Sequence, residues 1–311
     1  MHGSGFDAAV APDGYAWWYI DALSDDGQHG LTLIAFIGSV FSPYYAWARR
    51  RGPADPLAHC ALNVALYGPG HSRWAMTERG GRQVQRDASH LCIGPSSLTW
   101  EGDTLVVRID EITAPWPSRI RGSLRLHPAA RLERAWPLDD AGRHHWQPIA
   151  PCARVEVDLQ APGLRWSGAG YMDANRGGAP LAHAFTGWDW SRASHRGDTF
   201  VLYDIRPRSG EVHCLALRFD AAGTLEPVEA PDLFALPRSA WGLRRATRAD
   251  PGHAVRIVRE LENGPFYARA VLASSLRGVP LVAIHESLSL ERFSAPWVQM
   301  LLPFRMPRRR G

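Results

Sequence analysis

The residues best suited to acid/base chemistry lie between positions 144 and 190. Residues two apart on a β-strand point to the same side, so His144 shares a face with Trp146, and Tyr171 shares a face with Asp173. Two such strands converging inside a barrel would place an imidazole and a carboxyl group among aromatic rings, where a carboxyl group is a candidate for proton transfer. The alternative is structural, because residues 173–175 also suit a turn between strands.

Two tryptophans, Trp188 and Trp190, follow in the same region. They are either packing residues of a core or walls of a binding site. The sequence has no metal-ligand spacing, no GxSxG nucleophile motif, no P-loop and no GxGxxG in a strand-to-helix context. It therefore gives no sign of a metal site or a nucleotide site.

The charge and cysteine patterns exclude other classes of protein. All 35 basic residues are arginines, and 31 carboxylates are interspersed among them, which leaves a formal net charge of +4. A nucleic-acid-binding protein usually concentrates its basic residues in a stripe, and this chain has none, so we expect no nucleic-acid partner. The four cysteines form no CxxC motif, and we interpret them as small buried residues of a reducing compartment: Cys60, Cys92, Cys152 and Cys214.

The elements that carry these residues are predicted to be short β-strands. Apolar and polar residues alternate in stretches such as 120–126, 155–159 and 215–219, a period typical of half-buried strands. Proline or glycine interrupts nearly every segment, and no stretch keeps a helical apolar stripe over three turns. The pattern favours an all-β protein built from barrels or sandwiches.

The length of 311 residues predicts two domains. A Gln-Ala-Pro-Gly bend at 160–163 divides the chain into halves that are each large enough to close one barrel. We therefore place the domains at residues 1–162 and 163–311.

Two segments are candidates for contact with apolar or lipid surfaces. Residues 31–48 carry no charge but contain a proline and polar residues, so we predict a buried strand and an aromatic loop rather than a membrane span. The loop includes Phe41, Tyr44 and Tyr45. The arginines at 308–310 are either a frayed, solvated terminus or a contact for anionic lipid headgroups. The first residues lack the pattern of a secretion signal, so we expect a cytoplasmic protein.

Several blocks of the sequence resemble the bacterial carotenoid 1,2-hydratases, also called hydroxyneurosporene synthases. The similarity spans most of the chain and includes the His144-x-Trp146 and Tyr171-x-Asp173 motifs, although His145 and Gln147 depart from the family pattern around the first motif. The blocks that carry it are residues 14–27, 30–45, 60–68, 76–80, 170–175, 188–191 and 296–299.

The resemblance implies an all-β fold of two lipocalin-like β-barrel domains. It also implies a cofactor-independent hydro-lyase that adds water to the terminal C1=C2 double bond of acyclic carotenes such as neurosporene and lycopene. The product is a 1-hydroxy tertiary alcohol of carotenoid biosynthesis in a photosynthetic bacterium. In the family, the two motifs are the functional ones, which assigns catalytic roles to His144, Trp146, Tyr171 and Asp173.

The physical chemistry of alkene hydration fits these residues. We expect Asp173 to protonate C2, since an apolar cavity keeps a carboxyl group protonated at neutral pH. Aromatic faces would stabilise the cation at C1, and His144 or the Asp173 carboxylate would accept the proton of the attacking water. We expect Trp188, Trp190 and the aromatic loop to contact the polyene.

An insoluble polyene must arrive from a bilayer, so we expect peripheral association with the cytoplasmic face of the inner, photosynthetic membrane. Two alternatives stay open at this point: a carrier that holds a polyene without changing it, and a related cyclase or isomerase. The preferred carotene and the oligomeric state do not follow from the sequence.

Overall fold

The computed structural model describes residues 5–309. It confirms the all-β prediction, because most of the described residues lie in strands and the helices are short. Contacts divide the described chain into two compact units: the first runs to Pro180 and resumes at Met300, and the second spans Leu181–Gln299. Each unit has its own sheet and its own apolar core.

The predicted domain boundary at 162/163 lies inside a hairpin. Strand β11 (His144–Ala161) and strand β12 (Leu164–Gly177) pair along most of their length, and the bend is the turn between them. Gly163 adopts φ +78° in this turn, which favours glycine. Since two paired strands belong to one sheet, the units separate after Pro180 instead.

The first unit contains a sheet of 13 strands within the described residues. Their order is β22-β4-β3-β2-β1-β12-β11-β9-β8-β7-β6-β5, and β10 pairs with β11. Neighbouring strands are antiparallel except β22 and β4. Numbered along the chain, they are β1 (Tyr15–Ser24), β2 (Gly30–Ile37), β3 (Cys60–Tyr67), β4 (Arg73–Arg79), β5 (Val84–Arg86), β6 (His90–Ile93), β7 (Ser96–Glu101), β8 (Thr104–Ile112), β9 (Arg119–Pro128), β10 (Trp136–Pro137), β11, β12 and β22 (Arg308–Arg309).

Strand β1 divides its side chains between the two faces of this sheet. Ala16, Trp18 and Ile20 belong to the apolar core, so Tyr15 and Tyr19 point to the opposite face. The same core takes side chains from β4 and β6, which lie far apart in the strand order. The sheet therefore curls around its core, and its other face carries the aromatic and polar residues of β1.

The segment predicted as an aromatic loop is a helix over most of its length, while the preceding strand, β2, is confirmed. Helix α1 spans Pro43–Arg49. The Ser42 hydroxyl accepts hydrogen bonds from the backbone N–H groups of Tyr44 and Tyr45, at 3.1 and 3.3 Å. A serine followed by proline starts a helix, and the loop prediction overlooked this signal. Among residues 5–309, no helix is both long and apolar enough to cross a bilayer.

The arginine tail is partly ordered into the sheet. Strand β22 pairs in parallel with the end of β4, and the Arg308 guanidinium forms an ion pair with the buried carboxylate of Glu78. Arg308 also donates to the carbonyl oxygen of Ala58, at 3.1 Å. The prediction of a frayed terminus is therefore wrong for Arg308, whereas Arg310 lies outside the described residues.

The second unit contains a seven-stranded and a two-stranded sheet within the described residues. The larger has the order β16-β15-β14-β13-β21-β20-β19, and the smaller pairs β17 with β18. The strands are β13 (Phe185–His195), β14 (Asp198–Pro207), β15 (His213–Phe219), β16 (Leu225–Pro227), β17 (Asp232–Leu236), β18 (Arg245–Ala249), β19 (Arg256–Asn263), β20 (Tyr267–Leu276) and β21 (Val279–Ser289). Helix α2 (Leu181–Ala184) precedes the first strand of this unit, and helix α3 (Leu290–Ser294) follows its last strand. Helix α4 (Pro296–Arg305) begins in this unit and ends in the first.

A buried polar network lies on strands β13 and β21. The two ring nitrogens of His285 form hydrogen bonds with the hydroxyl groups of Ser191, at 3.0 Å, and Ser287, at 3.1 Å. Ser287 in turn donates to the carboxylate of Asp189. Burial lowers the pKa of His285 to about 4, although the Asp189 carboxylate acts in the opposite direction. His285 is therefore neutral in the folded protein at neutral pH.

We expect His285 to make the folded protein sensitive to acid. The unfolded chain binds a proton at this site near pH 6.5, whereas the folded chain does so only near pH 4. Stability should therefore decrease as the pH falls through this window, by about 3 kcal/mol from this one group. Urea unfolding of His285→Gln should have a correspondingly flatter pH dependence between pH 7 and 4.

The exposed His213, on β15 of the same unit, provides the matched control. His213→Gln should keep the pH dependence of the wild type. Equal slopes for wild type and His285→Gln would contradict this account of the network.

Candidate active site

Three adjacent strands position the predicted site residues. Strand β12 lies between β1 and β11, and Tyr19 of β1 is opposite Asp173 of β12. On the other side, Trp146 of β11 is opposite Asn175. Alternation along the strands places all these residues on the sheet face that points away from the apolar core. That face is nevertheless buried, since Asp173 has only 4% of its surface exposed.

Asp173 is the centre of a hydrogen-bond network formed by the predicted residues. The indole Nε1–H of Trp146 donates to Asp173 Oδ2 at 2.8 Å, and the hydroxyl of Tyr171 donates to the same oxygen at 2.8 Å. The amide Nδ2 of Asn175 is 3.5 Å from the other oxygen, Oδ1. The structure thus brings together three of the four residues that sequence reasoning selected as catalytic.

The two carboxyl oxygens of Asp173 are chemically unequal. Oδ2 accepts two strong hydrogen bonds, so the proton of the neutral acid is favoured on Oδ1. Burial disfavours the ionised carboxylate, whereas donation from Trp146 and Tyr171 favours it. Such an arrangement suits a group that holds a proton and can also release it.

His144 lies on the same face at a distance from Asp173. Its register partner is Gly177, four residues from Asp173 on β12, which corresponds to about 13 Å along the strand. His144 Nδ1 shares a hydrogen bond of 2.9 Å with the Tyr15 hydroxyl. A Cβ atom at Gly177 would be 2.5 Å from His144 Nδ1 and 2.6 Å from the Tyr15 ring, so glycine permits this pair to form.

Aromatic rings surround the Asp173 network. Trp136 packs against Trp146 with ring centroids 5.7 Å apart, and Tyr19 meets Tyr171 edge-on at 6.2 Å. The network therefore lies among ring faces and edges.

The residues predicted to contact substrate occupy different places. Phe41 packs against Trp17, at 6.2 Å, on the same sheet face as the Asp173 network. Tyr45 is fully buried, and its hydroxyl donates to the carbonyl oxygen of Gly14, which gives it a structural role. Tyr44 lines a separate cavity of the first unit.

The remaining two predicted substrate contacts, Trp188 and Trp190, belong to the second unit. Both are buried on β13, where alternation places them on one face. Trp188 meets Tyr203 of β14 edge-on at 6.4 Å.

Sequence reasoning missed part of this face. Tyr15, Asn175 and Asp21 were not selected, although Asp21 is fully buried and lies opposite Tyr171 in the register of β1 and β12. The signal was available, because Tyr15 and Asp21 belong to a series of alternate residues on what is β1 in the structure. Within residues 5–309, no group of three or more His, Cys, Asp or Glu side chains could hold a metal ion.

Comparison with known proteins gives a consistent family. The sequence profile of carotenoid hydratase CrtC matches residues 33–311. An acyclic carotenoid 1,2-hydratase of Thiocapsa roseopersicina is 56% identical over 307 residues, which cover 98% of this chain and 76% of the relative. An acyclic carotenoid 1,2-hydratase of Rubrivivax gelatinosus is 48% identical over 309 residues, with coverage of 98% and 76%.

A solved structure supports the fold. The crystal structure of an AttH candidate from Nitrosomonas europaea superposes with a TM-score of 0.59 at 17% sequence identity, covering 88% of this chain and 92% of that one. Identity this low supports the fold alone. The profile match and the two relatives, in contrast, establish that the chain belongs to the carotenoid hydratase CrtC family, as its sequence motifs predicted.

Proposed function

We propose that this chain is a carotenoid 1,2-hydratase that adds water to the terminal C1=C2 double bond of an acyclic carotene. Two relatives that match nearly its whole length are acyclic carotenoid 1,2-hydratases. The observation that carries the proposal is the buried Asp173 carboxyl group, whose Oδ2 accepts from both Trp146 and Tyr171.

The first step is proton transfer from Asp173 to the alkene. The O–H bond at Oδ1 breaks, its proton forms a new bond to C2 with the π electrons, and C1 becomes a tertiary cation. The carboxylate left behind is stabilised by the donors Trp146 and Tyr171, which already point at Oδ2. Hydrogen bonds to a charged group are stronger than those to a neutral group, so they favour this step.

The cation at C1 carries its positive charge until water attacks it. The negative faces of nearby aromatic rings stabilise such a charge by about 0.5–2 kcal/mol per contact. Trp146 and Tyr171 provide rings beside Asp173, and Phe41, on the same sheet face, is proposed to contact the rest of the polyene. Addition at C1 rather than C2 follows from the greater stability of the tertiary cation.

The second step forms the C1–O bond and releases one proton from the water. We assign the acceptance of this proton to the Asp173 carboxylate, which restores the neutral acid and closes the cycle. His144 is opposite Gly177, four residues along β12 from Asp173, so we assign it no direct part in this proton transfer. Its hydrogen bond with Tyr15 suits a positioning role at the edge of the site.

The substrate dictates where the enzyme works. Acyclic carotenes are insoluble in water, so they must enter from a bilayer. We therefore propose a protein peripherally associated with the cytoplasmic face of the inner, photosynthetic membrane.

Replacing Asp173 tests the assignment of the acid. Asp173→Asn removes the transferable proton, so hydration should fall by about 10²–10⁴-fold while carotene binding persists. The measurement is the mass of the products from detergent-dispersed lycopene in oxygen-18 water. The wild type should yield labelled 1-hydroxylycopene.

Other outcomes of this experiment would indicate a different function. Unchanged lycopene bound by both the wild type and Asp173→Asn would indicate a carrier. A product with the mass of lycopene would indicate a cyclase or isomerase. Full activity of Asp173→Asn would refute the role of this carboxyl group.

The two donors to Oδ2 should set the pH range of the reaction. Activity requires the protonated acid, so it declines as the pH rises. Tyr171→Phe or Trp146→Phe removes a donor that favours the carboxylate, worth about 1.5–3 kcal/mol. The alkaline limb of kcat/KM should therefore move to higher pH, and kcat should fall because the acid is weaker.

Trp136 supplies the control for this pH shift. The ring centroids of Trp136 and Trp146 are 5.7 Å apart. Trp136→Phe therefore alters the packing on Trp146 and leaves both donors to Oδ2 in place. Its pH profile should match that of the wild type. A shift in Trp136→Phe equal to that in Tyr171→Phe would attribute the effect to packing.

A further inference from the structure

A cavity of about 580 Å³ lies in the first unit, separate from the Asp173 network. It is bordered by helix α1, the turn after β4 and strand β22, which the sequence separates by more than 200 residues. The volume is within the range of sites for small molecules or headgroups. The structure thus joins helix α1 and the arginine tail, and neither has a role in the two proposed hydration steps.

The charge of this cavity is strongly positive. Four arginines line it, and none of its lining residues is an Asp or Glu: Arg51, Arg82, Arg308 and Arg309. Glu78 lies behind the wall and neutralises Arg308 through its ion pair. Arg51 and Arg309 are exposed and have no ion-pair partner within the described residues. The cavity therefore has a surplus of cationic groups and attracts an anion.

One of these guanidinium groups is held in a fixed position. Arg308 contacts the carboxylate of Glu78 and the carbonyl oxygen of Ala58, and it lies 5.8 Å from the ring of Tyr44. A fixed arginine loses little freedom when it binds an anion.

The aromatic part of the wall suits a membrane interface. Tyr44 and Trp47 lie one turn apart on α1, with their rings edge-to-face at 5.6 Å, and both line the cavity. Tyrosine and tryptophan are enriched at the level of lipid headgroups because each has an apolar body and a polar group.

Helix α4, which leads into β22, presents apolar residues to solvent. Met300 is 65% exposed, Leu301 44% and Phe304 70%, whereas Val298 and Leu302 of the same helix are buried. A helix that packs on a core usually turns its apolar residues toward the core and its polar residues toward solvent. Arg305, at the end of this helix, lies over the ring of Trp74, so a basic group adjoins the exposed apolar face.

We propose that this cavity binds the phosphate group of an anionic phospholipid while the exposed face of α4 enters the outer part of the bilayer. Arginines match phosphate, and an apolar helix face beside them matches the acyl boundary. The inference deepens the proposed function, because a membrane-docked enzyme can take its substrate from the bilayer. The binding itself is measurable without carotene.

The test is co-sedimentation of the full chain with vesicles of phosphatidylcholine alone or with 30% phosphatidylglycerol. Wild type should bind the anionic vesicles, and 0.5 M salt should weaken that binding. Arg51→Gln/Arg309→Gln removes two charges without breaking the pair with Glu78, so the partition coefficient should fall about 30-fold. Equal binding of wild type to both vesicle types would overturn the proposal.

A matched pair separates this site from net charge. Arg121 and Arg125 are exposed on β9 of the same unit, and Arg121→Gln/Arg125→Gln removes the same charge. This control should bind like the wild type. An equal loss in both double variants would attribute binding to overall charge and refute the site.

The apolar face has its own comparison. Phe304→Ser should reduce binding about tenfold, because an aromatic side chain no longer enters the bilayer. Trp116→Ser, at a residue of the same unit that is 83% exposed, should not. Equal losses would refute the assignment to α4.

Inorganic phosphate at constant ionic strength distinguishes a lipid site from a site for a free anion. Saturable binding of phosphate, without binding to anionic vesicles, would overturn the lipid assignment. Activity on detergent-dispersed lycopene is measured in parallel. Vesicle binding without hydration would refute the proposed function alone, and hydration without vesicle binding would refute this inference alone.

Discussion

The two-residue period of β1, β12 and β11 is the constraint on which the first unit depends. It sends Ala16, Trp18 and Ile20 into the apolar core, and it sends Tyr19 and Asp173 to the other face. A slip of one residue in the register would exchange these sets. The same pairing that buries the core therefore aligns the hydrogen-bond donors on Asp173, so stability and site geometry depend on one register.

The sequence predicted those features that depend on local alternation. The stretches expected to be strands at 120–126, 155–159 and 215–219 lie within β9, β11 and β15. The motifs of His144 and Asp173 identified residues that lie on neighbouring strands. For these, residue type and a spacing of two were sufficient, because adjacent residues on a strand face point the same way.

Features that depend on contacts distant in sequence could not be predicted in this way. The bend at 160–163 looks the same whether it ends a domain or turns a hairpin, and only the partner strand decides. The pairing of Arg308 with Glu78 joins residues 230 positions apart. Likewise, no local pattern indicates that the donors of Trp146 and Tyr171 converge on a single oxygen.

Strand β22 also has a consequence for association between copies of the chain. It covers the end of β4, the strand that otherwise forms the outer edge of the large sheet. An uncovered edge offers unpaired backbone groups to another molecule and promotes aggregation. Residues 308–309 thus protect this edge of the sheet. Their loss would remove the Arg308 guanidinium from Glu78 and leave the backbone of β4 open to intermolecular pairing.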